Sequence, residues 1–299
     1  MVNLNNGIHA EEIKRLCRRL KLNPKQVSVK SLSGGLSNRG FLFSCHKKNW
    51  MVRLPKKGQK SQLKVLDVSI ESRLLKVVAN AGITPALFFD DKHTGALVTF
   101  YIENAISWNA QIASQPENLK RIATTLRTLH SIKLDFTLPS FRPAQLCEKF
   151  LDILITPVGS RVRKLRKEQK SWQEEFATLA KAYEKKFPPI TLCHHDLTGT
   201  NILDAQQLWL VDFEYAVQAH PILDIASLSA LNALSMQQSL LLVESYYGED
   251  PVPFSKKQLN EVIRLEKLIA YFWALTQIND EDKNSKVSYF ADSMAAMLR

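Results

Sequence analysis

Ile13, Leu16, Cys17 and Leu20 fall at i, i+3, i+4 and i+7 with Lys and Arg opposite, which predicts a helix that stops before Asn23-Pro24. Three short strands follow, over 27–32, 40–45 and 50–54, separated by the turn-like SGGLSN (33–38) and HKKN (46–49). Leu63, Leu66, Ile70, Leu74 and Val77 lie on one side of a helix predicted over 62–80, closed by Ala81-Gly82. Strands over 87–90 and 96–101 flank a turn at DKHTG (91–95). After Glu103 the pattern turns helical: 117–132, 144–155, a helix between 159 and 186 ended by Pro188-Pro189, and 259–278 as the strongest. The interruption is a pair of extended stretches, 190–193 and 208–211, around a polar loop. The pattern reads as an α+β chain, with a small mixed sheet carrying one helix before a boundary near 100–105 and mostly helices beyond it.

Composition narrows the class. In 299 residues, 45% are hydrophobic and 23% charged, ordinary for a globular protein and against a disordered chain, a coiled coil or a fibre. The greasiest stretch, 222–234, is too short to span a bilayer and contains Asp224. The opening MVNLNNGIHAEE lacks a basic segment followed by an apolar core, so a cytoplasmic location is expected. Cys17, Cys45, Cys147 and Cys193 form no Cys-x-x-Cys pair and are expected to be reduced and buried. The net charge of +11 is compatible with nucleic acid, anionic lipid or a polyanionic substrate such as a nucleotide. The basic runs at 14–21, 56–60 and 161–170 lack interleaved aromatics or a compact motif, so nucleic acid is not an expected partner.

The chemistry concentrates in HHDLTGTN (194–201) and WLVDFEYA (209–216): His-x-Asp-x-x-x-x-Asn, then eleven residues to an Asp-Phe-Glu after an apolar strand. Phosphoryl transfer needs a carboxylate beside the attacking hydroxyl and oxygen ligands for Mg²⁺ at the terminal phosphates. Asp196 suits the first role, Asn201 and Asp212 the second. Three fixed letters recur by chance, but the strand–loop–strand setting and the second acidic position add weight. His194 is read as a residue that hydrogen-bonds backbone and shapes the loop. Gly34 and Gly35 allow the backbone between the first two strands to approach phosphates closely, and Ser37 and Asn38 add donors. Arg53, on the next strand, is a candidate phosphate cation, and Glu71 its ion-pair partner.

These features, in this order, resemble the choline/ethanolamine kinase and aminoglycoside phosphotransferase superfamily over roughly residues 30–275, most of all bacterial choline kinases and thiamine kinases. GGLSN, IESRLLKVVANAGITP, LRTLH, CHHDLTGTNIL and LVDFEYA carry the likeness. The resemblance implies a protein-kinase-like, two-lobed fold, with a nucleotide-binding lobe over 1–102 and a catalytic, substrate-binding lobe over 103–299. It implies ATP and Mg²⁺ as cofactors and a small alcohol as substrate. Asp196 then matches the catalytic aspartate, and Asn201 and Asp212 the metal ligands. Glu214 matches an acidic residue near metal or substrate, Arg53 and Glu71 the phosphate cation and its partner. Thr99, Tyr101 and Ile102 match the hinge whose backbone receives adenine, and Asp224 a brace of the catalytic loop. An Arg in place of the protein-kinase Lys, no Lys after Asp196 and only eleven residues between Asp212 and Asp224 argue against a protein substrate. Tyr246, Tyr247, Tyr271, Phe272 and Trp273 offer faces to a quaternary ammonium, with Glu244 or Asp280 near; Tyr246 and Trp273 are the substrate candidates. Choline or ethanolamine is the first expected acceptor, then thiamine, then an aminoglycoside; a non-catalytic nucleotide-binding module is the other class.

Overall fold

The structure, a computed structural model, describes residues 10–32, 38–55, 65–155, 167–278 and 285–299. The chain packs as two compact units, Met1–Ser107 with Leu203–Glu214, and Trp108–Ile202 with Tyr215–Arg299. The first unit thus runs past the expected boundary at 102 and takes in 203–214 from the stretch assigned to the second. Local bonds explain this: Leu210 N–H donates to Ile83 O at 2.8 Å and Leu66 N–H to Glu214 O at 3.1 Å. Among the described residues no helix is long and apolar enough to cross a membrane.

In the first unit, β1 (Ser28–Leu32), β2 (Asn38–Cys45), β3 (Lys48–Pro55), β4 (Leu87–Asp91) and β5 (Ala96–Phe100) form a sheet of order β1-β2-β3-β5-β4. Its four pairings are all antiparallel. Burial alternates along β2 and β3, as the two-residue side-chain period demands. His46 and Lys47 have φ of 48° and 47°, the left-handed pair of a two-residue hairpin turn. Helix α1 (Ala10–Arg19) lays Ile13, Leu16 and Cys17 on the sheet core of Phe41, Phe43, Trp50, Val52 and Val98. Helix α2 (Val68–Asn80) begins later than the 62 expected from the apolar spacing, because Asp67 caps it by accepting the Ile70 N–H at 2.9 Å. The strands β6 (Ile106–Ser107), β8 (Ile202–Ala205) and β9 (Gln207–Leu210) form a further small sheet; β6 and β8 are too short to leave a period in the sequence.

The second unit holds α3 (Ala110–Ala113), α4 (Pro116–Ser131), α5 (Pro143–Ile155), α6 (Lys167–Lys186), α7 (Ile222–Leu231), α8 (Met236–Tyr247), α9 (Lys256–Gln277) and α10 (Lys286–Leu298). A two-stranded ladder of β7 (Thr191–Cys193) and β10 (Val217–Ala219) closes around the polar loop. Helix α9 packs against α5, α6, α7 and α10, and its start is set by a capping box between Ser255 and Gln258. Helix α7 is apolar on nearly all sides and buried over nine residues, so the acid in its first turn, Asp224, enters the core.

Candidate active site

The loop from β7 to β8 is held from below by one carboxylate. Asp224 is fully buried; its Oδ2 accepts the His194 N–H at 2.9 Å and its Oδ1 the His195 N–H at 2.8 Å. His130, from the last turn of α4, lies with Nε2 at 3.0 Å from Oδ2 and Nδ1 at 2.8 Å from the Tyr246 hydroxyl. In a neutral imidazole this sets a one-way relay, Tyr246 O–H to Nδ1 and Nε2–H to Asp224. Burial pushes the Asp224 carboxyl up, but the hydrogen bonds from His130 and the His195 amide, with the neighbouring histidines, outweigh it and hold the group below its ordinary value. Asn232 adds a tie from the end of α7, its amide donating to Leu197 O at 2.8 Å.

On this frame, Asp196 N–H donates to His194 Nδ1 at 3.2 Å, the shaping role expected of that histidine. The Asn201 amide nitrogen donates to Asp196 twice, to the main-chain O at 2.9 Å and to Oδ2 at 2.8 Å, which leaves its carbonyl oxygen for other use. A Cβ on Gly199 would stand 2.7 Å from Trp108 O, so only glycine lets this turn approach that backbone. His195 sits at φ 62°, a conformation side chains rarely adopt. Its ring edge meets Phe141 at 4.6 Å and its Nε2 lies 3.4 Å from Glu266 Oε1 on α9. Burial pulls the His195 imidazole pKa down, but the Glu266 charge and hydrogen bond, with Asp224 and Asp196, bring it above the ordinary value.

The other acids lie in the first unit. Arg53 Nη2 bonds Glu71 Oε2 at 2.5 Å, the pair expected from the sequence, and Nη1 bonds Asp212 Oδ1, which was not expected. Burial alone would lower the Arg53 pKa, but Glu71, Asp212 and Glu214 raise it well above the usual guanidinium value. Burial lifts the Glu71 carboxyl, with Arg53 opposing and Asp212 and Glu214 adding to the rise. Asp212 has φ 67°, a strained position that turns the chain sharply after β9. Glu214 is 1% exposed. One guanidinium faces three carboxylates, a surplus of negative charge built only from oxygen donors.

Of the remaining candidates, Gly34, Gly35 and Ser37 fall outside the described residues, while Asn38 is buried at the start of β2 opposite Pro55. Thr99 pairs with Met51 in β5, and the Tyr101 N–H is committed to Asn49 O at 3.1 Å, which removes it as an adenine donor. Ile102 follows, half-buried. Tyr246 is 8% exposed and serves the His130 relay instead of offering an open face, and Tyr271 and Phe272 are core. Trp273 is half-buried and donates Nε1–H to the Tyr215 hydroxyl at 3.1 Å. All four cysteines are buried and free. His130, Cys193 and Asp224 crowd together, with burial raising the Cys193 thiol pKa and the His130–Asp224 hydrogen bond bracing the group. Sequence reasoning missed His130, Asn232, Gly199 and the His195–Glu266 contact. The signal for His130 was its place on the apolar side of α4, four residues after Leu126.

Residues 29–286 match the family model of choline/ethanolamine kinase. The chain belongs to the choline/ethanolamine kinase family. It is 26% identical over 217 residues to the choline/ethanolamine kinase of Homo sapiens, covering 66% of this chain and 52% of that protein. The chain spans about half the length of the curated relatives it matches. The choline kinase LicA of Streptococcus pneumoniae superposes with a TM-score of 0.76 at 21% identity, over 96% of each chain. LicA in complex with AMP gives 0.73 at 21% identity, over 96% of this chain and 97% of that one. The fold is protein-kinase-like, as these likenesses show.

Proposed function

We propose that this chain is a small-molecule kinase that transfers the γ-phosphate of ATP, with Mg²⁺, to the hydroxyl of a small cationic alcohol, choline or ethanolamine before thiamine. The observation that carries this reading is the pair of hydrogen bonds from the Asn201 amide to Asp196, on a loop whose backbone is clamped by a buried carboxylate. Those bonds pin the Asp196 carboxylate, which orients the acceptor hydroxyl and takes its proton. The AMP held by LicA supports nucleotide use here.

The donor set fits a hard divalent cation. Each unit by itself offers hard oxygen donors, the Asn201 carbonyl oxygen in the second and the Asp212 and Glu214 carboxylates in the first, where the surplus negative charge around Arg53 favours a cation. Mg²⁺, when bound, offsets the charge on the terminal phosphates. Arg53, oriented by Glu71, binds phosphate oxygens as a fixed fork, and Asn38 belongs to the same nucleotide site. Thr99, Tyr101 and Ile102 are the adenine hinge, with donors other than the Tyr101 amide.

The acceptor class rests on charge. From 187 to 255 there is no Lys or Arg, while eight acids occur, among them Asp196, Asp212, Glu214 and Glu244. A stretch that carries the proposed base and metal ligands without one cation accommodates a positively charged alcohol despite a net charge of +11. Trp273 and Tyr247, both half-buried, are the aromatic faces offered to an ammonium group.

ADP release measured with Mg²⁺, ATP and a panel of choline, ethanolamine, thiamine and an aminoglycoside tests the reading. Turnover with choline or ethanolamine is expected, lost by about 10²–10⁴-fold in Asp196→Asn while nucleotide binding persists. Nucleotide binding without turnover on any acceptor would instead favour a non-catalytic module.

A further inference from the structure

Residues 1–64 hold fifteen of the forty Lys and Arg but two of the twenty-nine Asp and Glu, so they carry +13 and the remaining 235 residues −2. Both acids are engaged, Glu11 with Lys14 at 2.7 Å and Glu12 with Arg39 at 3.2 Å. Arg15 reaches Asp91 at 3.8 Å. Arg18, Arg19, Lys21, Lys25, Lys47 and Lys48 are exposed and form no ion pair with a described residue.

These six lie at one end of the β1–β2–β3 sheet. The first four run from the last turn of α1 into the loop before β1, and the last two sit at the β2–β3 hairpin tip. His46, in that tip, is 3.3 Å from Gln26 in the loop, and Ser28 pairs with Ser44 just behind. The apolar side of α1 is already spent on the sheet core through Ile13, Leu16, Cys17 and Leu20, so the helix has nothing to insert into hydrocarbon.

We propose that this end of the first unit docks on the surface of an anionic lipid bilayer, held by charge. Exposed cations that form no ion pair suit a delocalised plane of negative headgroups. A helix end and a hairpin tip are convex. The helix end and hairpin tip expose no Phe, Tyr or Trp; Phe88 and Phe100, exposed on β4 and β5 at the same end of the sheet, pack edge to face on each other beside the cations. Because charge supplies the main attraction, attachment is reversible and falls steeply with added salt.

Co-sedimentation of the full chain with vesicles of phosphatidylcholine alone, and with about a third phosphatidylglycerol, tests this. Binding is expected only to the anionic vesicles and is lost at roughly 0.5 M NaCl, where the screening length falls to a few ångströms. The combined variant Arg18→Gln, Arg19→Gln, Lys21→Gln, Lys25→Gln should weaken partitioning by roughly 10³-fold at low salt, with the melting temperature and ATPase or kinase activity unchanged. Lys181→Gln with Lys185→Gln, exposed on α6, should leave partitioning as it is. Equal binding to both vesicle types, no binding to the anionic ones at low salt, or equal loss in the α6 control would overturn the proposal. So would displacement from anionic vesicles by RNA at a lower phosphate concentration than the lipid supplies, which would make a polynucleotide the partner.

Discussion

Asp224→Asn keeps the shape of the brace and removes its charge. The carboxylate accepts three hydrogen bonds, from the His194 and His195 amides and from His130 Nε2, at 2.8–3.0 Å in a site with no solvent exposure. An asparagine has one acceptor oxygen. Its amide nitrogen must then face either the His195 N–H or the shared oxygen position of His194 and His130, donor against donor. Each charge-assisted bond contributes about 1.5–3 kcal/mol, so losing one or two of them costs about 3–5 kcal/mol once the orphaned donor is included. For a chain this size that lowers the melting temperature by roughly 6–20 °C. The Asp196 loop loses its anchor at the same time, so kcat should fall while KM for ATP changes little, since Arg53 and Glu71 belong to the other unit. A double-mutant cycle with His130→Asn should be non-additive by about 1–2 kcal/mol, because both changes break the same bond. The pH dependence has a fixed sign: the Asp224 pKa is depressed below 3.8, so its contribution is complete above that value and is lost as pH falls through the native pKa. Acid unfolding below about pH 4 should therefore be shallower in the variant. A melting temperature within a degree of the parent, with full activity, would show that the loop is not held by this carboxylate.

Gly199→Ala places a methyl 2.7 Å from the Trp108 carbonyl oxygen, a backbone atom that cannot swing away. Thermal melts should show a loss of about 1–3 kcal/mol, and turnover should fall as the 199–201 turn shifts Asn201 off Asp196. Arg53→Lys replaces a fork that spans Glu71 and Asp212 by a single ammonium that holds only one of them. Nucleotide titration calorimetry should show ATP binding weakened by roughly tenfold or more, with the fold retained; unchanged affinity would remove Arg53 from the phosphate site.

Much of this protein was legible from residue order. The α1 stripe, the strands of the first sheet and the long helices of the second unit follow from apolar spacing, because each buries one face and the period of burial is written locally. His-x-Asp-x-x-x-x-Asn was legible for a similar reason, since its partners lie within five residues of one another and close a single turn. The short strands β6, β8 and β10 were not, since two to four residues carry no period and their pairing depends on distant chain. The start of α2 was misread because a cap is a single residue, Asp67, that overrides an apolar pattern running through it.

What residue order alone determined is the set of local elements, the acids and amide grouped around positions 196–214, and the crowding of positive charge before residue 64. Only tertiary structure decided which groups became partners. His130 and Asp224 are 94 positions apart and meet because α4 and α7 bury their polar residues against the same strand end. Arg53 and Asp212 are 159 apart and meet because the segment after β9 returns to the first unit. Tyr246, an aromatic that suited a ligand face, became a hydrogen-bond donor in the core for the same reason. A side chain's chemistry is local, but its solvent exposure and the charge beside it are set by distant chain, and those decide whether a carboxylate braces, pairs or reacts.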